Sequence, residues 1–315
     1  MSDIRPVALQ LAVFSPHLQA GLSRRFEVVR WFELDATAQA SVLQAQAPRV
    51  RAVVTAGQVG CSNALMSALP QLGVIAINGV GVDRVDLDFA RARGVRVTTT
   101  PGTLTEDVAD LAVGLLIALL RAIPAADAFV REGAWQAGEW PLARKVSGLD
   151  FGILGLGQIG RAIAARLAVF GRVAYSGPHR KDVPYEFHPQ PITLARSCDV
   201  LVVSCPATPA TFRLVDGRIL DALGPQGYLI NVARGSIVDE SALIAALAAG
   251  RIAGAALDVF EREPTVPEAL RRSSRVVLTP HVASATVETR TAMADLVLAN
   301  LDAYLDSRPL PSAVA

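Results

Sequence analysis

The 315-residue sequence is poor in cysteine and aromatic residues and carries almost no net charge. Its three cysteines, Cys61, Cys198 and Cys205, show neither C-x-x-C nor metal-ligand spacing, which fits a reduced cytoplasmic protein without a metal site. The formal net charge of +1 gives no reason to expect a nucleic-acid or membrane partner. The longest apolar stretch, residues 111–120, is shorter than the roughly 20 residues that a membrane-spanning helix needs. From these features we predict a soluble cytoplasmic enzyme; any other soluble α/β protein is the alternative.

Strand and helix patterns alternate along the first hundred residues. Runs of β-branched and apolar residues that end at glycine or proline predict strands at residues 7–14, 26–31, 49–57, 72–77 and 95–99. Helical patterns lie between them at residues 17–25, 63–69 and 83–93. Alternation of this kind is typical of a parallel sheet with helices on both faces. We therefore predict an α/β domain in this part of the chain.

Residues 150–170 have the pattern of a buried strand, a glycine turn and a helix, in that order. The turn, GLGQIG, contains Gly155, Gly157 and Gly160, with Gln158 and Ile159 before the last glycine. In G-x-G-x-x-G the glycines permit a tight turn, a close approach of pyrophosphate to the backbone, and close helix–strand packing. The free N–H groups and the positive helix end then face the diphosphate. We predict dinucleotide binding; a plain structural turn is the alternative.

The alternation of strands and helices continues on both sides of this turn. A long helix is predicted over residues 108–123, and an irregular arm over residues 133–145. Six strands, at residues 151–154, 172–175, 200–204, 228–232, 254–258 and 276–279, predict a complete dinucleotide-binding sheet. An amphipathic helix over residues 287–305 is expected to cross back to the first domain.

The predicted fold class is therefore α/β, with two Rossmann-like domains built on doubly wound parallel sheets. Residues 1–98 and 287–315 would form a discontinuous substrate-binding domain. Residues 99–286 would form the dinucleotide-binding domain.

The end of the second strand of the nucleotide domain bears on the choice of coenzyme. An enzyme that prefers NAD normally has Asp or Glu about 20 residues past the glycines, where it holds the ribose hydroxyls. This chain has Ser176 there, followed by His179, Arg180 and Lys181. A guanidinium binds a 2′-phosphate in bidentate fashion, whereas a carboxylate would repel it. We predict that NADP(H) is preferred, with NAD(H) as the alternative coenzyme; a basic surface loop would explain the same residues.

Three polar residues follow predicted strands of the nucleotide domain: Arg234, Glu263 and His281. Reduction of a carbonyl by hydride needs a proton donor, for which His is suited near neutral pH. It also needs a cation beside the carbonyl or carboxylate, and a carboxylate beside the His would stabilise its protonated form. Spacing alone does not establish contact. The alternatives are a capped strand end for Arg234, a surface salt bridge for Glu263 and a hydrogen-bonded turn for His281.

Six motifs together cover nearly the whole chain: NGVGVD at 78–83, LTEDVADLAVGLLIALLR at 104–121, GLGQIG at 155–160, VARG at 232–235, DVFEREP at 258–264 and TPHVASAT at 279–286. With these motifs the sequence resembles the D-isomer-specific 2-hydroxyacid dehydrogenases, above all the glyoxylate and hydroxypyruvate reductases. The resemblance implies a homodimeric two-domain enzyme with a cleft between its domains. It would reduce a small 2-keto acid to the D-2-hydroxy acid with NAD(P)H. His281 would be the acid/base, Glu263 its partner, and Arg234 the residue that orients the substrate.

The resemblance also implies contacts for further residues. Backbone N–H groups of Val80 and Gly81 would hold the substrate carboxylate, and Ser284 would add a hydroxyl. The remaining residues would contact the coenzyme: Thr105 and Val108 near the nicotinamide, Cys205, Pro206 and Thr211 on the adenosine side, Val232 and Ala233 at the nicotinamide ribose, and Asp258 at the carboxamide. Turn geometry, packing or capping would also explain several of these residues. The arginine usual in the glycine turn is replaced by Gln158, which weakens or removes one expected pyrophosphate contact.

Two other functions remain open at this point. A phenylpyruvate-type reductase would share all these motifs and differ in the shape of its substrate pocket. A corepressor-like protein would keep the fold and use the dinucleotide only as a signal. Trp135 and Trp140, on the predicted arm, either reach a partner subunit's active site or are buried in a dimer interface.

Overall fold

The computed structural model describes residues 5–315. The chain forms two compact units. The first unit contains the described residues up to Leu104 together with Ala285–Ala315, and the second unit contains Thr105–Ser284. The domain limits predicted from the sequence, at residues 98 and 286, lie close to these positions.

The first unit is built on a five-stranded parallel sheet with strand order β2-β1-β3-β4-β5. Its strands are β1 (Val7–Gln10), β2 (Glu27–Arg30), β3 (Val50–Ala56), β4 (Val74–Asn78) and β5 (Arg96–Thr98). Its first four helices are α1 (Pro16–Arg25), α2 (Ala36–Gln46), α3 (Asn63–Ala68) and α4 (Leu87–Ala92). Each of these helices begins after a Ser or Asp whose side chain accepts a backbone N–H of the first turn.

Two predictions for the first unit were wrong in detail, and one helix was not predicted. The first strand ends at Gln10 rather than at residue 14, because the chain turns toward the cap at Ser15. The helix predicted over residues 83–93 begins only at Leu87, after the cap at Asp86. The helix α2 was not predicted, since it is rich in Ala and Gln and buries none of its residues.

The second unit contains a seven-stranded parallel sheet with strand order β12-β11-β10-β9-β6-β7-β8. Its helices are α5 (Thr105–Leu120), α6 (Ile123–Arg131), α7 (Gln158–Leu167), α8 (Pro191–Arg196), α9 (Gly217–Leu223), α10 (Glu240–Ala248) and α11 (Glu268–Arg271). Its strands are β6 (Phe151–Leu154), β7 (Val173–Ser176), β8 (Glu186–His188), β9 (Val200–Val203), β10 (Tyr228–Asn231), β11 (Gly254–Leu257) and β12 (Val276–Leu278). The strand order reverses between β6 and β9, and ligands of such sheets bind beyond the carboxyl ends of the strands at that point.

Two features of the second unit differ from the sequence predictions. The sheet has a seventh strand, β8, which is only three residues long and packs Phe187 against Tyr175 of the neighbouring strand. The long helix ends at Leu120 instead of residue 123, because Ala122 adopts a left-handed conformation before α6. No single helix within residues 5–315 is long and apolar enough to cross a membrane; α5 and α6 pass that test only as a pair, which is bent by 59°.

The last helix, α12 (Val287–Leu305), has the bounds that its amphipathic pattern predicts and belongs to the first unit. Thr286 caps its first turn by accepting the N–H of Thr289. Its apolar stripe, which includes Val297 and Leu301, packs on one face of the five-stranded sheet. The opposite face of that sheet has a second apolar cluster, so both faces are covered, as expected for a doubly wound sheet.

Shortening Leu301 to Ala should destabilise the first unit, since this side chain is 0% exposed. We expect the free energy of unfolding in urea to fall by about 2–5 kcal/mol, the cost of a large-to-small core substitution. The matched control is Leu305→Ala on the same helix, where the side chain is 39% exposed and the loss should be much smaller. Equal losses in the two variants would contradict this packing.

Candidate active site

The glycine turn follows β6 and leads into α7, in the context that the sequence predicts. Gly155 has a φ of +98°, and a Cβ placed on it would lie 2.5 Å from the Cα of Cys205. A Cβ on Gly160 would collide with the carbonyl oxygen of Gly155 and lie 2.9 Å from Oγ of Ser204. These two glycines are therefore required by the fold itself.

Gly157 differs from the other two glycines because a Cβ there would meet no atom within 4 Å. Gly157 and Gln158 are exposed at the start of α7, and Ile159 is partly buried. The side of the turn at Gly157 is therefore open, at the positive end of a ten-residue helix with free backbone N–H groups. These residues fit the diphosphate of a dinucleotide.

The segment after β7 presents its basic residues to solvent. Ser176 is buried, and His179, Arg180 and Lys181 are exposed. The buried Tyr175 fixes this segment, since its hydroxyl oxygen lies 2.6 Å from the backbone nitrogen of Lys181 and accepts its N–H. Ser176 stands at the end of β7 where an NAD-preferring enzyme has an acid, and the contact of the basic segment with a 2′-phosphate remains a prediction.

The loops after β9 and β10 are held by short-range hydrogen bonds. Thr211 donates its hydroxyl to the carbonyl of Pro206 at 2.7 Å, and Cys205 lies buried beside the glycine turn. Asn231 accepts the N–H of Ala233 at 3.1 Å and donates to the carbonyl of Arg234 at 3.0 Å. Asn231 thus fixes the backbone from which the Arg234 side chain extends; the neighbouring Val232 is buried.

His281 and Glu263 are in direct contact. Nδ1 of His281 lies 2.7 Å from Oε2 of Glu263, and Oε1 of Glu263 accepts the N–H of Phe260 at 3.0 Å. Burial raises the pKa of Glu263, and three neighbouring groups lower it: His281 by its hydrogen bond and charge, Phe260 by its N–H, and Arg234 by its charge. Their combined effect is larger than that of burial, so the pKa of Glu263 lies below its ordinary value. Glu263 is therefore a carboxylate that fixes the ring of His281, and the positive charge of Arg234 favours the ionised form of Glu263.

Asp258, at the end of β11, is 0% exposed and holds the loop that carries His281. Its carboxylate accepts the hydroxyl of Thr279 at 2.7 Å and the N–H groups of Val282 and Ala283 at 2.8 and 3.0 Å. Its backbone carbonyl accepts the N–H of His281 at 2.8 Å. Both carboxylate oxygens thus bind within the protein, and the predicted contact with a carboxamide remains a prediction.

The other predicted residues occupy the two units separately. Thr105 and the buried Val108 lie in the first turn of α5, and Ser284 is the last residue of the second unit. Val80 and Gly81 follow β4 in the first unit. The cleft between domains that the resemblance implies remains a prediction.

Sequence reasoning missed three residues that shape the site: Tyr175, Asn231 and Thr279. Asn231 is the one with a sequence signal, since an Asn at the end of a strand often hydrogen-bonds the backbone two residues on. Tyr175 and Thr279 bind partners that only the folded chain brings within reach.

Comparison with known proteins identifies the family of the chain. Residues 113–283 match the family model of the D-isomer specific 2-hydroxyacid dehydrogenase, NAD binding domain. The chain belongs to this family. It is therefore an NAD(P)-dependent 2-hydroxyacid dehydrogenase with a dinucleotide-binding domain in its second unit, which confirms the predicted fold class and enzyme class.

Relatives of this dehydrogenase match it over nearly its full length. The glyoxylate/hydroxypyruvate reductase A HPR2 of Arabidopsis thaliana is 46% identical over 97% of this chain and 98% of that protein. The hydroxyphenylpyruvate reductase of Plectranthus scutellarioides has the same identity and coverage. An NADPH-dependent glyoxylate/hydroxypyruvate reductase from Sinorhizobium meliloti, solved in complex with NADP and malonate, superposes with a TM-score of 0.90, is 42% identical, and covers 99% of this chain and 97% of its own.

The different surroundings of Gly157 and Gly160 predict that Ala substitutions will separate binding from folding. Gly157→Ala should leave the thermal unfolding midpoint nearly unchanged, because the added methyl group meets no atom, but should weaken dinucleotide binding by blocking the phosphate approach. Gly160→Ala should lower the unfolding midpoint, because its methyl group collides with Gly155. Thermal scans and titrations of nicotinamide fluorescence measure the two effects, and unchanged coenzyme affinity in Gly157→Ala would refute this placement of the diphosphate.

Proposed function

We propose that this dehydrogenase reduces glyoxylate and hydroxypyruvate to the corresponding hydroxy acids, with NADPH as the preferred coenzyme. The main observation behind this proposal is the contact between Nδ1 of His281 and Oε2 of Glu263 at 2.7 Å. The charge of Arg234 helps to keep Glu263 ionised. The names of the relatives from Arabidopsis thaliana and Sinorhizobium meliloti support this substrate class.

The proposed mechanism assigns each group one task. The nicotinamide, when bound, supplies the hydride for C2 of the 2-keto acid. Arg234 orients the substrate and polarises its keto oxygen, since guanidinium offers a rigid fork of donors. His281 delivers a proton to that oxygen through Nε2, because its Nδ1 is bound to Glu263. Glu263, held as a carboxylate, stabilises the protonated ring before the transfer.

Further contacts to the substrate and the coenzyme are proposed on the basis of the family resemblance. Val80, which is exposed, and Gly81, which is partly buried, follow β4 and would give their backbone N–H groups to the carboxylate. Ser284 would add a hydroxyl group near His281. The pyrophosphate would bind the N–H groups at Gly157 and Gln158, and the basic segment from His179 to Lys181 would bind the 2′-phosphate.

A second candidate function is reduction of a hydroxyphenylpyruvate. The relative from Plectranthus scutellarioides matches this chain as well as the Arabidopsis thaliana relative does. A panel of glyoxylate, hydroxypyruvate and 4-hydroxyphenylpyruvate, each assayed with NADPH and NADH, separates the two candidates by their kcat/KM values. Tight coenzyme binding without turnover of any 2-keto acid would indicate a dinucleotide-sensing protein instead.

We further propose that the protein is a cytoplasmic homodimer. Its cysteines are unpaired, as expected in a reducing compartment. Several large apolar side chains around α6 and the arm after it are exposed, namely Ile123, Val130, Trp135 and Leu142. Trp140 instead packs its ring against Phe129 at 5.1 Å, so Trp135 is the better candidate for contact with a partner subunit. Sedimentation equilibrium of the purified chain tests the assembly.

Replacing His281 with Ala should lower kcat for glyoxylate reduction by about 10²–10⁴-fold, the usual loss when one positioned acid is removed. The NADPH dissociation constant should stay unchanged, because the ring is assigned to the substrate and not to the coenzyme. Stopped-flow absorbance of the nicotinamide measures the first quantity, and fluorescence titration measures the second. A variant that keeps the wild-type turnover would exclude His281 as the acid.

Replacing Tyr175 with Phe should weaken the preference for NADPH. The ring and its contact with Phe187 remain, but the hydrogen bond that fixes Lys181 is lost. We expect KM for NADPH to rise about 3- to 10-fold, the value of one neutral hydrogen bond, with KM for NADH unchanged. Tyr228→Phe, a substitution on strand β10 of the same sheet, serves as the control. A wild-type enzyme that prefers NADH would contradict the coenzyme assignment itself.

A further inference from the structure

The carboxyl end of the sheet in the first unit contains polar atoms whose hydrogen bonding is incomplete. Oδ1 of Asn78 and Oγ1 of Thr100 are buried and have no partner within residues 5–315. Asn78 is 9% exposed and Thr100 is 0% exposed. Buried polar atoms in native proteins nearly always have a partner, so each exception calls for an explanation.

Both residues lie on the sheet face that α12 covers. Side chains alternate along a strand, and Val74 and Ala76 of β4 pack against the apolar stripe of α12, so Asn78 belongs to the same face. Thr98 of β5 pairs in register with Ala76. Two residues later, Thr100 donates its N–H to the carbonyl of Gly79 at 2.8 Å, which places it beside Asn78.

The packing of α12 brings Arg290 to the same end of the sheet. Tyr304 packs over Gly73, so the last turn of α12 lies at the amino end of β4. Val297 and Ala294 then continue along the sheet face toward the carboxyl end of β4. Arg290 is the next residue of this stripe, about 6 Å further along the helix axis.

A chain of hydrogen bonds supports this placement independently. The hydroxyl of Thr289 donates to the carbonyl of Thr103 at 3.2 Å, and the hydroxyl of Thr103 donates to the carbonyl of Thr100 at 2.9 Å. Thr100 is bound in turn to Gly79. The first turn of α12 is therefore attached to the backbone that leads into Val80 and Gly81.

Arg290 is partly buried and has no acidic partner in the part of the chain that the structure describes. Burial lowers the pKa of Arg290, and no neighbouring charge opposes the effect. Arg25 of the same unit shows the usual alternative, because it is paired with Asp302. A guanidinium removed from water without an anion is unfavourable. Because side chains on a helix lean toward its N-terminus, we expect that of Arg290 to point toward the carboxyl end of β4.

We propose that Arg290 binds the carboxylate of the 2-keto acid, together with the backbone N–H groups of Val80 and Gly81. This inference rests on the function proposed above and adds a cation to it. An anion is the ligand that a desolvated guanidinium requires, and a neutral hydroxyl would not balance its charge. The hydroxyl of Thr100 can donate to the same carboxylate, and Oδ1 of Asn78 can accept one of the five N–H donors of the guanidinium.

The test is Arg290→Gln in the full chain, assayed with glyoxylate, pyruvate and hydroxypyruvate. All three substrates share the carboxylate, so KM should rise about 10- to 100-fold for each, the loss expected for a charge-assisted hydrogen bond. The dissociation constant for NADPH should not change, and Arg290→Lys should recover part of the affinity. Arg24→Gln, which changes an exposed arginine of α1, is the matched control and should behave as wild type.

Two kinetic results would overturn the proposal. Unchanged KM values in Arg290→Gln would show that this cation does not meet the substrate. A rise in KM confined to hydroxypyruvate would show that Arg290 binds the C3 hydroxyl instead of the carboxylate. If the wild-type protein reduces none of the three acids, the proposed function fails, and calorimetric binding of oxamate still decides the inference: equal affinity in wild type and Arg290→Gln overturns it, and weaker binding to Arg290→Gln supports it. Unfolding midpoints confirm that the variants compared are folded.

Discussion

The buried carboxylate of Asp258 is the group on which the geometry of the proposed catalytic residues depends. A carboxylate without hydrogen bonds would be very unfavourable in this position, and three donors from the segment that follows β12 satisfy it. The same contacts hold His281 at a φ of +54°, a conformation that costs a non-glycine residue of order 1–3 kcal/mol. The hydrogen bonds that Asp258 accepts thus supply the stabilisation that keeps the histidine backbone in a strained conformation.

Glu263 reaches His281 from a different loop and is fixed in a similar way. The N–H of Phe260 holds one of its oxygens, which leaves the other for the ring. Each partner of the pair is therefore positioned by its own backbone contacts, and their separation does not depend on the bond between them alone. Such preorganisation matters for proton transfer, because little reorganisation remains at the moment of reaction. The charge of Arg234 favours the ionised form of Glu263 and so serves the same arrangement.

Local signals predicted much of this structure. The glycine turn was predictable because its glycines stand at fixed spacings between a strand and a helix, and α12 was predictable because it has an apolar stripe. The strand β8 was too short to show alternation, and α2 buries none of its residues and so has no stripe. The partners of Asp258 were not predictable in the same sense, since they lie 21–25 residues further along the chain and only the fold brings them together.

The polar residues at the carboxyl ends of the two sheets differ in their hydrogen bonding. In the second unit, Asn231, Asp258 and Glu263 are bound by neighbouring backbone groups, so this edge is rigid before any ligand arrives. In the first unit, the side-chain oxygens of Asn78 and Thr100 have no partner within residues 5–315. Groups that carry out proton transfer gain from a fixed geometry, whereas groups that bind a mobile anion must keep hydrogen-bonding capacity for it. The unfavourable burial of Arg290 is consistent with anion binding. An anion that pairs with this guanidinium removes the cost of its burial, so the anion is bound more tightly than it would be by a cation that is already paired.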